Sequence, residues 1–361
     1  MTSAPVAGLI TALAVPAVVG MLVTALYNTT DTYFISKLGT SATGAVGIAF
    51  PLMAIIQAVG FTIGQGASSI ISRKLGERNN QKADAAASAA MLLAFLLGLV
   101  VTACGLVWLD PIMNLLGATP TMLPYARDYA QYILIAAAPM AASFVLNNTL
   151  RAEGKTRIAM IGIIIGSVVN VCLDPLFIFV FGWGTAGDAI ATAIGQIVSF
   201  VVLLSVYLRK KTIVGLSPRH IPRAVRAYWD ILRMGAPALL RQGLASAATI
   251  ALNLSARAYG DAAVAAMSIV TKLFMFIFSV SLGIGQGYQP VCGYSYGAGL
   301  YSRVRRGYRF TLAVGVSVMT LLAAAAFAFA PQLLGLFIRD DPTVTEIGAL
   351  ALRAQCIAMP L

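Results

Sequence analysis

Long runs of apolar residues constrain this chain more than any other feature of its sequence. Residues 85–107, for example, form a run of 23 residues without a charged side chain. At ~1.5 Å of rise per residue, an α-helix of this length crosses the ~30 Å hydrocarbon core of a bilayer. Such runs recur, and only 11% of the chain is charged, against about 25% in soluble domains. The pattern predicts an all-α polytopic membrane protein. It excludes a soluble enzyme, a nucleic-acid-binding domain and an outer-membrane β-barrel, whose strands are shorter.

Ten membrane spans are predicted, separated by short loops in which Gly, Asp and Pro recur. They cover residues 8–35, 44–72, 85–107, 124–148, 157–182, 188–208, 229–257, 264–290, 308–330 and 345–361. Several spans exceed 25 residues, which predicts helices that tilt or extend into the headgroup layer.

The basic residues, which give the chain a formal charge of +12, are concentrated in alternate loops. Seventeen Lys and Arg residues lie on one predicted side, within residues 73–82, 151–157, 209–226 and 303–309. Only Lys37, Arg257 and Arg339 lie in loops of the other side. The positive-inside rule places the basic side and the N-terminus in the cytoplasm, which predicts a multi-pass protein of the inner membrane. The excess charge is therefore an orientation signal, and no nucleic-acid partner is expected.

An internal repeat is visible at an offset of about 221 residues. Pro16 corresponds to Pro237, Gly39 to Gly260, and the Gly-Gln-Gly at 64–66 to that at 285–287. Because an even number of spans precedes the second copy, both copies have the same orientation, as in many secondary transporters. The repeat predicts a first lobe at 1–208 with spans 1–6, a cytoplasmic linker at 209–228 and a partial second lobe at 229–361 with spans 7–10. We expect a twelve-span architecture whose second lobe is cut short after span ten.

Two acidic residues, Asp31 and Asp174, are predicted to lie well inside apolar spans. A carboxylate inside a membrane is costly unless it is paired, protonated or bound to an ion, so it indicates a functional site. Asn170 lies one helical turn before Asp174, and Thr192 of span six is expected at a similar depth. Together they predict an all-oxygen cluster suited to Na⁺ or to a shared proton. The alternative is that the two acids only bond neighbouring helices or face a wet vestibule. Asp188, at the start of span six, is grouped with the acids at loops and span ends.

Other residues inside the spans suggest supporting roles. Pro16 removes a backbone hydrogen bond from span one and predicts a kink, either a hinge or a static bend. Pro175 similarly frees the Val171 carbonyl. The glycines near the two Gly-Gln-Gly sequences favour close helix packing over a phosphate-binding loop. Basic residues in the second-lobe spans could balance charge, exclude cations, bind an anionic substrate, or simply extend to the interface or bond backbone carbonyls. These basic residues are Arg241, Lys272 and Arg353.

Catalytic and cofactor-binding patterns are missing from the sequence. The only histidine is His220, and the four cysteines are scattered singly without a CxxC spacing. A disulfide framework, a zinc site or a Ser–His catalytic site is therefore not expected, and neither is an enzymatic activity or a cofactor.

Three segments resemble the multidrug and toxic compound extrusion (MATE) family, particularly its bacterial drug-efflux branch. They are NTTDTYFISKLG at 28–39, NVCLDP at 170–175 and GQGYQPVCGYSYGA at 285–298. The resemblance implies twelve spans in two lobes and export of organic cations by alternating access in antiport with Na⁺ or H⁺. It also implies a first-lobe ion site at Asp31, Asn170, Asp174 and Thr192, with Tyr27 near the same cavity and bending at Pro16. Some members carry acids in the second lobe, where this sequence has Arg241, Gln242 and Arg353.

The preferred hypothesis is therefore an efflux antiporter for amphipathic organic cations, acting as a monomer in the lipid bilayer. Two alternatives stay open at this point. The chain could be a flippase of the same superfamily that moves a lipid-linked precursor, with the basic second-lobe residues binding its phosphates. It could also be a truncated product without transport activity.

Overall fold

The structure is a computed structural model of the 361-residue chain. It describes residues 1–2, 4–116, 118, 120–257, 261–335 and 342–359, of which 40, 41, 43, 250, 253, 254, 256, 257, 261–265, 268 and 342–344 are described by their backbone only. Gly260 of the repeat and Arg339 lie outside the described residues, as does the side chain of Arg257.

The chain folds into helices, and no strand occurs among the residues described. The helices are α1 (Val6–Ser36), α2 (Thr40–Gly76), α3 (Asn80–Val107), α4 (Leu109–Leu115), α5 (Leu123–Ile135), α6 (Ala137–Ala152), α7 (Thr156–Pro175), α8 (Gly184–Leu208), α9 (Val225–Arg257), α10 (Asp261–Gly297), α11 (Tyr301–Ala328), α12 (Ala330–Gly335) and α13 (Pro342–Ala358). A π-helical turn, Leu176–Val180, extends α7, and a short 3₁₀ turn, Pro218–His220, lies in the linker. Each predicted span corresponds to one of the long helices or to the pair α5 and α6.

Seven of these helices are long and apolar enough to cross a membrane, or eight if the bent pair α5–α6 counts as one span. The remaining two predicted spans correspond to α9 and α13. Large apolar side chains such as Leu115, Val180 and Leu244 are exposed on the outside of the bundle. An apolar outer surface is what a bilayer requires, and the predicted all-α multi-pass membrane fold is confirmed.

The fourth span is bent, which the sequence analysis did not predict. Helices α5 and α6 meet at Ala136 at an angle of 51°. Pro139, in the first turn of α6, cannot donate a backbone hydrogen bond to the Ile135 carbonyl, and this loss accounts for the bend. The loop predicted at 108–123 also contains a short helix, α4, whose first turn accommodates Pro111.

The basic loops share one end of the bundle with the N-terminus. The Arg303 guanidinium donates hydrogen bonds to the carbonyl oxygens of Met1 (3.2 Å) and Ala4 (2.8 Å). Lys155 donates to the Lys211 carbonyl, and the end of α2 at Gly76 packs against Tyr294 of α10. We call this end, with residues 73–82, 151–157, 209–226 and 303–309, the basic end, and the opposite one the far end.

Helices of the two predicted lobes pack against each other. Helix α1 packs along α10, and α2 packs along both α9 and α10. A Cβ atom at Gly66 of α2 would overlap the Ile231 carbonyl oxygen of α9, and one at Gly287 of α10 would lie 2.5 Å from Ala14 Cα of α1. Since Gly66 and Gly287 are equivalent in the repeat, the two contacts are consistent with twofold-related lobes. They also fit the interpretation of these glycines as helix-packing residues.

The linker is bound to the first lobe by two acidic side chains. The Glu153 carboxylate accepts hydrogen bonds from the backbone N–H groups of Ile213 (2.9 Å) and Val214 (3.1 Å), and Asp84 accepts one from Gly215 (2.7 Å). Burial raises the pKa of Glu153, although its hydrogen bonds and its ion pair with Lys155 (3.1 Å) act in the opposite direction.

Candidate ion-binding site

Three carboxyl groups from three helices meet near the far end of the first lobe. They belong to Asp31 of α1, Asp174 of α7 and Asp188 of α8, and one oxygen of each lies within 4.8 Å of the others. Asp174 and Asp188 are fully buried, and Asp31 is half-buried. The predicted meeting of Asp31 and Asp174 is therefore observed, and a third acid joins them.

Two pairs of residues on facing helices build the buried side of this acid cluster. Asn170 and Asp174 lie one turn apart on α7, and Asp188 and Thr192 lie one turn apart on α8. The Asn170 amide nitrogen donates to Asp174 Oδ1 and to Thr192 Oγ1, both at 3.1 Å. All four predicted site residues, one of which is Asp31, thus lie together.

Glycines allow α7 and α8 to approach closely enough for these contacts. A Cβ atom at Gly166 would lie 2.7 Å from the Gly195 carbonyl oxygen, and the reverse distance is also 2.7 Å. A Cβ at Gly187 would lie 2.8 Å from the Phe177 carbonyl oxygen. Each site residue of α7 and α8 lies within four positions of one of these contacts, so the close packing holds the two pairs against each other.

The observed position of Asp188 differs from the prediction, which placed it at the edge of span six. The predicted span began at residue 188, whereas α8 begins at Gly184, so Asp188 is already inside the helix. A turn with positive φ angles at Gly182 (69°) and Gly184 (55°) reverses the chain between α7 and α8. The spacing of four residues between Asp188 and Thr192 was the available signal, since it puts both side chains on one helix face.

Several polar atoms of the cluster are buried without a hydrogen-bond partner. These atoms are Asp31 Oδ1, Asn170 Oδ1 and Asp174 Oδ2, whereas the carboxyl group of Asp188 shares a hydrogen bond with that of Asp31. Among the residues that the structure describes, no Lys, Arg or His forms an ion pair with the three acids. Burying three negative charges without compensation would cost many kcal/mol, so the cluster must hold protons or a cation.

Two tyrosines lie beside the acid cluster. Tyr27 precedes Asp31 by one turn of α1, is almost fully buried, and shares a side-chain hydrogen bond with Gln196 of α8. Tyr129 of α5 is buried and donates to Met53 Sδ at 3.1 Å. The prediction that Tyr27 lies near the ion site agrees with this position.

Comparison with known proteins identifies the family. The MatE family model matches residues 16–176 and 237–361. The chain belongs to the MatE family. It is therefore a membrane transporter and not an enzyme, and the predicted membership is confirmed.

Individual MatE relatives cover nearly the whole chain. The multidrug export protein MepA of Staphylococcus saprophyticus is 27% identical over 91% of this chain and 73% of its own length. An FAD transporter of Shewanella oneidensis is 28% identical over 100% of this chain and 81% of its own length. Among solved structures, the outward-facing conformation of a multidrug resistance MATE family transporter aligns with a TM-score of 0.94 and 29% identity. That alignment covers 99% of this chain and 80% of the other.

The predicted hinge residue of this MatE protein lies in the interface between the lobes. Pro16 is buried within α1, which is one continuous helix on either side of it. Ala14 and Val18, which flank Pro16, pack against Gly287 and Gly283 of α10. A change in the bend at Pro16 would therefore alter the inter-lobe contact. That the helix bends during transport stays a prediction.

In the described part of the chain, the basic residues of the second-lobe spans form no ion pair with the three acids of the cluster. Arg353 donates to the Phe327 carbonyl oxygen (3.3 Å), and its guanidinium lies 5.4 Å from the centre of the Phe327 ring. Arg241 is exposed and Lys272 is half-buried. For Arg353 the geometry matches the simpler interpretation, in which the side chain bonds a backbone carbonyl.

Arg151 is a functional candidate that the sequence analysis assigned to a loop. Helix α6 continues to Ala152, so Arg151 lies in the helix and is 4% exposed. Its guanidinium donates to the side-chain oxygen of Gln286 on α10, and its Nε has no partner. This bond joins the first lobe to the Gly-Gln-Gly segment of the second lobe.

Proposed function

We propose that this protein is a secondary active efflux transporter that exports amphipathic organic cations in antiport with H⁺ or Na⁺. The observation that carries the proposal is the acid cluster, which brings buried and uncompensated carboxyl groups from α1, α7 and α8 together. A site of this kind binds protons or Na⁺ in one state of the transport cycle and releases them in another. The name of the relative MepA, a multidrug export protein, supports the substrate class.

The coupling mechanism follows from the position of Asp31. Its carboxyl group belongs to the cluster, while its helix, α1, packs on α10 of the other lobe through Ala14 and Val18. Binding of a cation to the cluster favours one arrangement of α1. A shift of α1 then changes its contact with α10 at the lobe interface. Binding shifts the equilibrium between outward-facing and inward-facing states by as much as its affinity differs between them.

The proposed ion site consists of Asp31, Asn170, Asp174 and Thr192, with Tyr27 lining the adjacent substrate cavity. The basic end faces the cytoplasm, because seventeen Lys and Arg residues lie within its four segments. Ions then enter from the far end, where the acid cluster lies, and the protein works as a monomer in the inner membrane.

The test uses everted membrane vesicles, in which the lumen corresponds to the outside of the cell. The lumen is made acidic or loaded with Na⁺, and uptake of a fluorescent organic cation is followed; FAD is tested in parallel as the anionic substrate suggested by the Shewanella relative. We expect gradient-driven uptake of the organic cation, lost in Asp31→Asn and Asp174→Asn.

Asp110→Asn is the matched control. Asp110 also lies toward the far end, but it is half-exposed and pairs with Arg127 on the surface, so its removal should leave uptake unchanged. Uptake that persists in both cluster variants, or that needs no gradient, would contradict the proposed coupling. Uptake of FAD in place of the organic cation would replace the substrate class.

A further inference from the structure

Asp188 gives the acid cluster one carboxylate more than the proposed ion site requires. Its carboxyl group is buried, shares a hydrogen bond with that of Asp31, and lies on the same face of α8 as Thr192. The cluster then offers five oxygen-bearing side chains and a formal charge of −3 when its acids are ionised. A single Na⁺ would leave two of these charges uncompensated in a buried site.

Asn170 provides an observation independent of the acids. Its amide nitrogen is used twice, on Asp174 and on Thr192, which fixes the orientation of the side chain. Its oxygen is left without a partner although the residue is only 3% exposed. A buried amide oxygen normally accepts a hydrogen bond or binds a cation, so this atom indicates a missing ligand.

We propose that Asp31, Asp174 and Asp188, together with Asn170 and Thr192, bind one hard divalent cation of the Ca²⁺ class. This inference rests on the proposed assignment of the cluster as the ion site. Carboxylate, amide and hydroxyl oxygens are the ligands that Ca²⁺ takes, in flexible geometries at about 2.3–2.6 Å. One oxygen of each carboxyl group lies within 4.8 Å of the other two, so small adjustments of the side chains would bring all three to the bonding distance of one central ion. Mg²⁺ fits less well, since it demands shorter bonds and a near-ideal octahedron.

The bound ion would link α1 to the pair α7–α8. Asp31 comes from α1, whereas the other four ligands come from the facing helices α7 and α8, which are already joined by the Asn170 bond. Divalent binding should therefore hold α1 in the arrangement seen here. A divalent ion would also compete with the H⁺ or Na⁺ of the transport cycle for the same oxygens.

The experiment measures ⁴⁵Ca²⁺ binding to the full chain, purified in detergent and stripped with a chelator, by equilibrium dialysis at constant ionic strength. We expect one Ca²⁺ per chain, a higher Tm with Ca²⁺ than with chelator, and weaker binding of Mg²⁺. Asp188→Asn should weaken Ca²⁺ binding at least about tenfold, since even loss of a residue that only supports a ligand has that effect. Asp110→Asn should bind as the wild type does.

Thr192→Val provides a second variant, which removes a neutral ligand without changing the charge and should weaken binding less. If Asp188→Asn does not fold, the wild-type stoichiometry and Thr192→Val decide the question. Wild-type protein that binds no Ca²⁺ at millimolar concentration, or an Asp188→Asn variant that binds it unchanged, would overturn the proposal.

The outcome is separable from that of the transport assay. If gradient-driven uptake occurs in the presence of a chelator and the protein binds no Ca²⁺, the divalent site is rejected and the antiport is kept. Ca²⁺ binding without gradient-driven uptake would reject the proposed antiport and keep the divalent site.

Discussion

Helices α1 and α9 occupy equivalent places in the repeat and differ in their polar content. Both contain a proline at the same repeat position, Pro16 and Pro237, and both pack against a glycine of the opposite lobe. At the repeat position of Asp31, however, α9 has Leu252, which is exposed. The packing of the first lobe is thus repeated in the second, while its carboxylate is not. The difference fits the proposal that ion coupling belongs to the first lobe alone.

The largest effect is expected from the packing that the two lobes share. Gly66→Val and Gly287→Val should each lower the free energy of unfolding by about 3 kcal/mol or more, the upper end of the range for overpacking, because the new side chains would overlap backbone of the facing helix. The midpoint of thermal unfolding in detergent measures this loss.

Gly285→Ala is the control for both variants. Nothing lies within 4 Å of a Cβ at this position, although it belongs to the same Gly-Gln-Gly. The exchange should be neutral or raise stability by up to about 1 kcal/mol. If only one of the two valine variants is destabilised, the packing of the lobes is not equivalent.

A smaller effect should distinguish Gln286 from its repeat counterpart Gln65. Gln286 accepts the hydrogen bond of buried Arg151, whereas Gln65 takes part in the lobe interface through its backbone carbonyl. Gln286→Leu should therefore cost about 1.5–3 kcal/mol, the range for hydrogen bonds to charged groups. Gln65→Leu should cost less than about 1 kcal/mol. Equal losses in a comparison of unfolding midpoints would show that Arg151 has another partner.

The smallest effect concerns the acids that hold the linker to the first lobe. Asp84 corresponds in the repeat to Arg305, so only the first lobe has this acid. Glu153 is the other of these two acids. Burial raises its pKa in the folded protein, so the folded state binds its proton more tightly than the unfolded state does. Its contribution to stability is then present at low pH and is lost as the pH rises through the folded pKa.

Glu153→Gln should remove this part of the pH dependence, and unfolding midpoints measured upward from about pH 4.5, close to the usual glutamate pKa, would show it. At the same end of the bundle, Glu77 should contribute a pH dependence of stability with the opposite sign, because its hydrogen bond with Lys74 lowers the pKa of that carboxyl. A Glu153→Gln variant whose stability still falls with pH as in the wild type would contradict the assignment.

The sequence predicted the spans, the family and four residues of the proposed ion site. The spans and the two acids could be predicted because membrane spans are long and because charged residues inside them are rare, whereas the family was predicted from the resemblance of three segments. The errors came from helix boundaries. A start placed at residue 188 instead of Gly184 removed Asp188 from span six, and an end placed at 148 instead of Ala152 put Arg151 in a loop. The approach of α1 to α7 and α8 depends on tertiary packing, which no local pattern shows.

Ion coupling is proposed to reside in the acids of the first lobe and not in the basic residues of the second. It is tested most directly by comparing gradient-driven uptake of an organic cation in Asp31→Asn and Arg241→Gln vesicles. We expect at least about a tenfold loss of gradient-driven uptake in Asp31→Asn and a nearly unchanged rate in Arg241→Gln. Uptake that survives in Asp31→Asn and is lost in Arg241→Gln would contradict it.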